Sequence, residues 1–240
     1  MPGLYRDEAV VLRTMKLGEA DRIITVFTRG HGKLRAVAKG IRKTKSRFGG
    51  RLEPFTRAHL MLYRGRDLDT VTGVEIIDSN KAVRDDYARL VAAASLVELV
   101  EKITPDRESA FSTYALLVGG LKALSEDRGT TVVPAFLVKL LSICGYHPQL
   151  SVCASCGETH RLSAFSPPLG GALCNSCWSE DDTALRLPGD RIDLLRRLLA
   201  GDFGEPGEEA ATAEVTDVMR RYAEYHLERP LRSLQLLPLS

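Results

Sequence analysis

The stretch EAVVLRTMKLGEADRIITVFTRGHGKLRAVAK, residues 8–39, contains three short runs, 8–15, 22–28 and 33–39, rich in β-branched and apolar residues. Gly18 and the Gly30-His31-Gly32 turn separate them. The second gap is too short for a crossover connection, so the second and third runs form a hairpin. Two further runs of the same kind, 58–63 (AHLMLY) and 68–77 (LDTVTGVEII), follow Gly49-Gly50 and Gly65. Five short strands punctuated by glycines within 80 residues fit a small closed barrel. On 33–39, strand alternation puts Lys33, Arg35, Val37 and Lys39 on one face and Leu34, Ala36 and Ala38 on the other.

From Lys81 the apolar period changes from two to about 3.6. Leu96, Leu99, Val100 and Ile103 form one helical stripe. Phe136, Leu137, Leu140, Leu141 and Cys144 form a second, and Val215, Val218, Met219 and Tyr222 a third. Residues 109–125 and 190–200 also read as helix, and 202–209 (DFGEPGEE) as an acidic loop. The expected organisation is α+β with two domains: a barrel over 1–80 and a helical domain over 81–240. The helical pattern breaks between Pro148 and Glu180, in a segment rich in Ser, Gly and Pro.

Charge divides along the same line. The chain of 240 residues carries a net +2, but residues 1–80 hold 16 basic and 9 acidic side chains, and residues 81–240 hold 17 and 22. A basic front on an acidic body points to a polyanionic partner. Eight basic residues fall between positions 33 and 51 with no acid among them: Lys33, Arg35, Lys39, Arg42, Lys43, Lys45, Arg47 and Arg51. Ordinary surfaces mix the two signs, so this run reads as a surface for the phosphates of nucleic acid. Phe48, Phe55 and Tyr63 could stack on bases, although core packing is the stronger expectation for each. No apolar run approaches the roughly 18 residues of a membrane span. The N-terminus places Arg6, Asp7 and Glu8 where a secretory signal needs apolar residues, so the expected location is cytoplasmic.

Cys153-Ala-Ser-Cys156 and Cys174-Asn-Ser-Cys177 are two Cys-x2-Cys knuckles 17 residues apart, the spacing of a four-thiolate zinc site. Each tight knuckle lets two sulfurs face one ion. Four thiolates fill a tetrahedron and leave no position for a reactive water, so one Zn2+ per chain would be structural. His160 is expected at the surface and Cys144 as a buried thiol on its helix stripe. Gly30-His31-Gly32-Lys33 fails the phosphate-loop pattern, because Leu34 stands where Ser or Thr must bind magnesium. No metal-binding histidine pair, nucleophile elbow or dinucleotide fingerprint is present. No catalytic residue is assigned, and the chain is not expected to be an enzyme.

Residues 8–55 together with 68–78 (LDTVTGVEIID) resemble the N-terminal domain of the bacterial RecO recombination-repair family. LLSICGYHPQLSVCASCG (140–157), FSPPLGGALCNSC (165–177) and YHLERPLRSL (225–234) resemble its C-terminal half in the same order. The resemblance implies an OB-fold barrel, then a helical domain carrying a zinc-binding insertion at about 150–179. It implies a non-catalytic mediator that binds single- and double-stranded DNA and anneals complementary strands. Such a mediator engages the acidic tail of single-strand-binding protein and works with RecR, sometimes RecF, to load RecA on the nucleoid. Cys153, Cys156, Cys174 and Cys177 carry over as metal ligands, and the basic residues of 33–51 as DNA contacts. For the acidic tail, Arg196, Arg197, Arg220, Arg221 and Arg232 are the basic residues to test. Two readings from other classes stand beside this one. One is a zinc-ribbon regulator that binds nucleic acid without annealing it; the other is a nucleic-acid enzyme gripping its substrate with the barrel.

Overall fold

The computed structural model describes residues 3–41, 48–202 and 209–237. Five strands, β1 (Leu4–Leu17), β2 (Asp21–Thr28), β3 (Gly32–Ala38), β4 (Arg57–Tyr63) and β5 (Asp69–Asp78), close into a barrel of order β1-β2-β3-β5-β4. β1 is long enough to pair with β2 along its second half and β4 along its first. It bends where Leu12 is added between the paired Val11 and Arg13, a bulge of the kind that lets a small sheet curl shut. β2 and β3 form the expected hairpin, and only β3 and β5 run parallel, pairing Ala36 with Asp69 and Val37 with Thr70.

Alternation selects the barrel core. Leu34, Ala36 and Ala38 of β3 meet Ile24 and Val26 of β2, Leu60 and Leu62 of β4 and Val71 of β5. Each large aliphatic side chain here contributes roughly 1.5–3 kcal/mol by leaving water. Phe48 also packs into this core, and Phe55 is buried. Tyr63 departs from expectation: it points outward, opposite to Leu62, and is 48% exposed.

Helices follow: α1 (Lys81–Asp85), α2 (Tyr87–Ile103), α3 (Phe111–Ser125) and α4 (Val132–Ile143). Asp86 caps α2 by accepting a hydrogen bond from the Arg89 N–H. The segment that breaks the helical pattern is a small sheet of order β7-β6-β8, built from β6 (Leu162–Ser166), β7 (Gly171–Cys174) and β8 (Leu185–Arg186), with the single-turn α5 (Asn175–Trp178). α6 (Gly189–Ala200) and α7 (Glu209–Leu227) complete the fold. Most of the expected acidic loop at 202–209 lies outside the described residues. Cys144 was expected in the core; it sits just past the end of α4 and is half-buried, because Ile143 is the last helical residue.

The chain forms two compact units, Met1–Ala93 with Val100–Ser125, and Ala94–Leu99 with Glu126–Ser240. The barrel strands end at Asp78, close to the expected division at residue 80, and the first unit also takes in α1, α3 and parts of α2.

Candidate nucleic-acid interface and metal centre

The predicted basic residues divide into three groups. Arg35, Lys39 and Arg51 are exposed, and alternation along β3 puts Arg35 on its outer face as read from the sequence. Arg42, Lys43, Lys45 and Arg47 lie outside the described residues. Lys33 is held within the first unit. Its side chain is 13% exposed, and its Nζ donates to the Glu101 carbonyl at 2.6 Å and the Thr104 carbonyl at 2.7 Å, with Asp106 Oδ1 at 3.2 Å. It neutralises the carbonyl end of α2 rather than facing solvent.

The chain after α2 runs beside the β2–β3 hairpin. The Arg107 N–H donates to the Lys33 carbonyl at 2.7 Å. Gly32 has φ +67°, and a Cβ there would come within 1.8 Å of the Glu108 carbonyl oxygen, so the close approach demands glycine. Two carboxylates, Asp69 buried and Glu8 nearly so, fasten the same region. Asp69, with no exposed surface, accepts from Arg107 Nη2 at 2.9 Å, from the Gly65 N–H at 3.1 Å and from the Tyr5 hydroxyl. Glu8 accepts from Arg57 Nε at 2.5 Å and from the Tyr114 hydroxyl at 2.9 Å. Burial pushes both acids up, but these donors outweigh it and hold both carboxyls below the usual range. Burial and the neighbouring carboxylates push the Tyr5 and Tyr114 hydroxyls up, so both remain donors.

Sequence reading passed over Arg6, Arg64 and Arg66, which are all exposed near Tyr63. Arg64 and Arg66 occupy the β4–β5 loop, one of the two loops through which OB barrels hold oligonucleotides. Their place in that loop becomes readable once five strands are counted. Arg64 lies over the Tyr5 ring, 5.4 Å from its centroid.

The four predicted cysteine ligands come together in the second unit, with every pair of sulfurs within 4.8 Å. Cys156 Sγ and Cys174 Sγ are 3.8 Å apart. Ligands at ~2.3 Å on a tetrahedron have sulfurs ~3.8 Å apart, so the cluster has the dimensions of a four-thiolate metal site. Backbone hydrogen bonds set the first knuckle: the Cys153 N–H donates to the Glu158 carbonyl at 2.7 Å and the Gly157 N–H to the Cys153 carbonyl at 2.9 Å. Gly157 takes φ +80° to close that turn. Burial raises the Cys153 thiol, but the N–H groups of Cys156, Cys174 and Ser155 outweigh it and bring it down to about 6, while the neighbouring sulfurs push the Cys156 and Cys177 thiols up, so the four titrate as one cluster. His160 is exposed and stands apart from the cluster, as expected.

The basic residues singled out for an acidic tail are unequal. Arg220 is bound to Asp217 at 2.5 Å and Glu224 at 2.6 Å, and Arg221 to Asp217 at 2.9 Å. Arg196 donates through Nε to the Leu150 carbonyl at 2.8 Å. Arg197 and Arg232 are exposed. No helix among the described residues is long and apolar enough to cross a membrane.

Comparison with known proteins accounts for both halves. The family model described as Recombination protein O N terminal matches residues 1–80, and Recombination protein O C terminal matches 84–235. The chain is 42% identical to the DNA repair protein RecO of Bifidobacterium adolescentis, covering 98% of this chain and 99% of that protein. It is 42% identical to RecO of a Nocardioides species (96% and 98% covered) and 44% identical to RecO of Frankia casuarinae (98% of each). With an OB-type barrel, a helical region and a four-cysteine cluster in the matching order, the chain belongs to the RecO family of DNA repair proteins.

Proposed function

We propose that this protein is a non-catalytic recombination mediator. It binds single- and double-stranded DNA, anneals complementary strands and, with RecR and in some settings RecF, helps load RecA onto DNA coated with single-strand-binding protein. The observation that carries this reading is the exposure of the cations Arg35 on β3, Lys39 just after it and Arg51 between β3 and β4, in a chain of the RecO family. Arg42, Lys43, Lys45 and Arg47 extend it along the sequence. Neutralising the phosphates of two strands relieves their mutual repulsion, which is what annealing requires, and contacts to the backbone alone tolerate any sequence. Lys33 is left out of this set, since its ammonium is occupied by the end of α2. Arg197 and Arg232 are the best placed of the five arginines to meet an acidic peptide, and the protein works in the cytoplasm at the nucleoid.

The metal held by Cys153, Cys156, Cys174 and Cys177 is Zn2+, favoured by four soft thiolates in a tetrahedron, and its role is structural. An annealing assay on complementary oligonucleotides precoated with single-strand-binding protein, with and without RecR, tests the mediator reading. Charge reversal of Arg42, Lys43 and Lys45 is expected to slow annealing; an unchanged rate would count decisively against it.

A further inference from the structure

Among the described residues, the barrel has one broad open sheet face, and it is not the β2–β3 side. β2 is buried on both faces from Ile23 to Thr28, and Gly32 and Lys33 lie against residues 101–108. The open side runs across β3, β5, β4 and β1. There the register aligns Val37 with Thr70, Thr70 with Tyr63, and Tyr63 with Leu4, one row over four strands. Within this row Tyr63 and Leu4 are 48% and 57% exposed; Met15, Leu17, Ile76 and Ile77 are the other exposed large apolar residues of the barrel strands, and Tyr63 is the one aromatic ring among them.

The charges around that row are mostly positive. Arg35 and Lys39 lie on the β3 side, Arg64 and Arg66 follow Tyr63 in the β4–β5 loop, the Arg64 guanidinium over the Tyr5 ring, and Arg6 is two residues from Leu4 on β1. Two acids answer these five cations: Glu75 on Arg6 at 2.7 Å and Asp67 on Arg66 at 3.2 Å, both exposed pairs of little strength. An exposed aromatic ring flanked on both sides by cations suits an unpaired base between its phosphates. A duplex offers no free base face, and an acidic peptide would pair with the cations but leave the exposed ring unused, so the occupant that uses both is a single strand of DNA.

We propose that Tyr63 is a stacking platform for one unpaired base, with Arg64 and Arg66 taking the phosphate on one side and Arg35 and Lys39 the phosphate on the other. This rests on the DNA-binding reading above and adds to it the face of the barrel and the form of the ligand. Neighbouring strands are about 4.8 Å apart, so β3 lies roughly 10 Å from β4 across β5, within reach of an adjacent nucleotide.

The test compares the full chain with Tyr63→Ala and Tyr63→Phe by fluorescence anisotropy. The three probes are oligo-dT, an abasic strand with the same number of phosphates, and a duplex. Tyr63→Ala is expected to weaken oligo-dT binding about 5- to 100-fold, with Tyr63→Phe close to wild type. The abasic strand and the duplex should bind all three proteins equally. Equal oligo-dT binding by wild type and Tyr63→Ala overturns the platform and leaves the DNA-binding reading intact. A loss shared by the abasic strand also overturns it, because that loss comes from backbone contact or misfolding rather than stacking. A wild-type protein that binds none of the probes ends both readings.

Discussion

Lys33 and Arg35 are two positions apart on one strand face, and their surroundings give them different work. Alternation along 33–39 was legible in the sequence, and the structure keeps it residue by residue. What the sequence could not supply was the end of α2, which arrives from about 70 residues away and captures the Lys33 ammonium. Removing that charge-assisted cap by Lys33→Ala should destabilise the protein by about 2 kcal/mol. The salt dependence of DNA binding should stay as in wild type. Arg35→Ala should do the reverse, leaving stability within about 0.5 kcal/mol and reducing the slope of log K against log salt by about 0.7 for a single strand. Urea titration paired with binding at several salt concentrations decides the matter, and an equal slope change in both variants would mean that Lys33 also reaches phosphate. The alternation of AHLMLY sets Tyr63 opposite Leu60 and Leu62, so its outward direction was legible in the sequence, although an aromatic ring in a strand more often packs into a core.

At the scale of elements, the cysteine segment was the most legible part of the chain, because knuckle spacing reports metal geometry directly. The sheet around it was not legible. β6, β7 and β8 have five, four and two residues, too few for a period to emerge, and their pairing depends on contacts such as the Ala172 N–H to Gln149 carbonyl bond at 2.7 Å. With three short strands and one helical turn, this element has little core of its own, so the metal should supply much of its stability. The purified protein is expected to carry one zinc per chain. Chelation should expose four reactive thiols beyond Cys144 and lower the melting temperature of the second unit. Cys153→Ser, which removes a buried ligand, should reproduce the loss of metal. A metal-free protein with an unchanged melting curve would refute the structural role. Gly171→Ala offers a check without touching a ligand, since a Cβ there would lie 2.7 Å from the Gln149 carbonyl oxygen and 2.9 Å from the Ala154 Cβ. The variant should lose stability and bind zinc more weakly.

For the molecule as a whole, the net charge of +2 conceals a basic first 80 residues and an acidic remainder, and two paired acids of the first unit make its stability depend on pH. Asp69 and Glu8 both titrate below the ordinary carboxylate range when folded, since Arg107, Tyr5, Arg57 and Tyr114 favour their charged forms. In the unfolded chain they titrate near 4. Between the two values the unfolded state binds more protons, so stability must fall as pH drops through that window. The contribution of these groups is therefore complete above about pH 5 and is lost progressively at lower pH. Asp69→Asn keeps the shape of the side chain and removes the charge that holds Arg107. A fully buried broken pair costs roughly 3–5 kcal/mol; because the Arg107 side chain is 39% exposed and can rehydrate, about 2 kcal/mol is expected at pH 7. The difference between variant and wild type should shrink as the pH is lowered toward 3, because the unfolded wild-type chain then takes up a proton at Asp69 that the folded protein resists. Urea midpoints at pH 7, 5, 4 and 3 measure it directly. Parallel curves across that range would show that the Asp69 charge contributes nothing, and that the packing of the side chain alone joins the β4–β5 loop to the chain after α2.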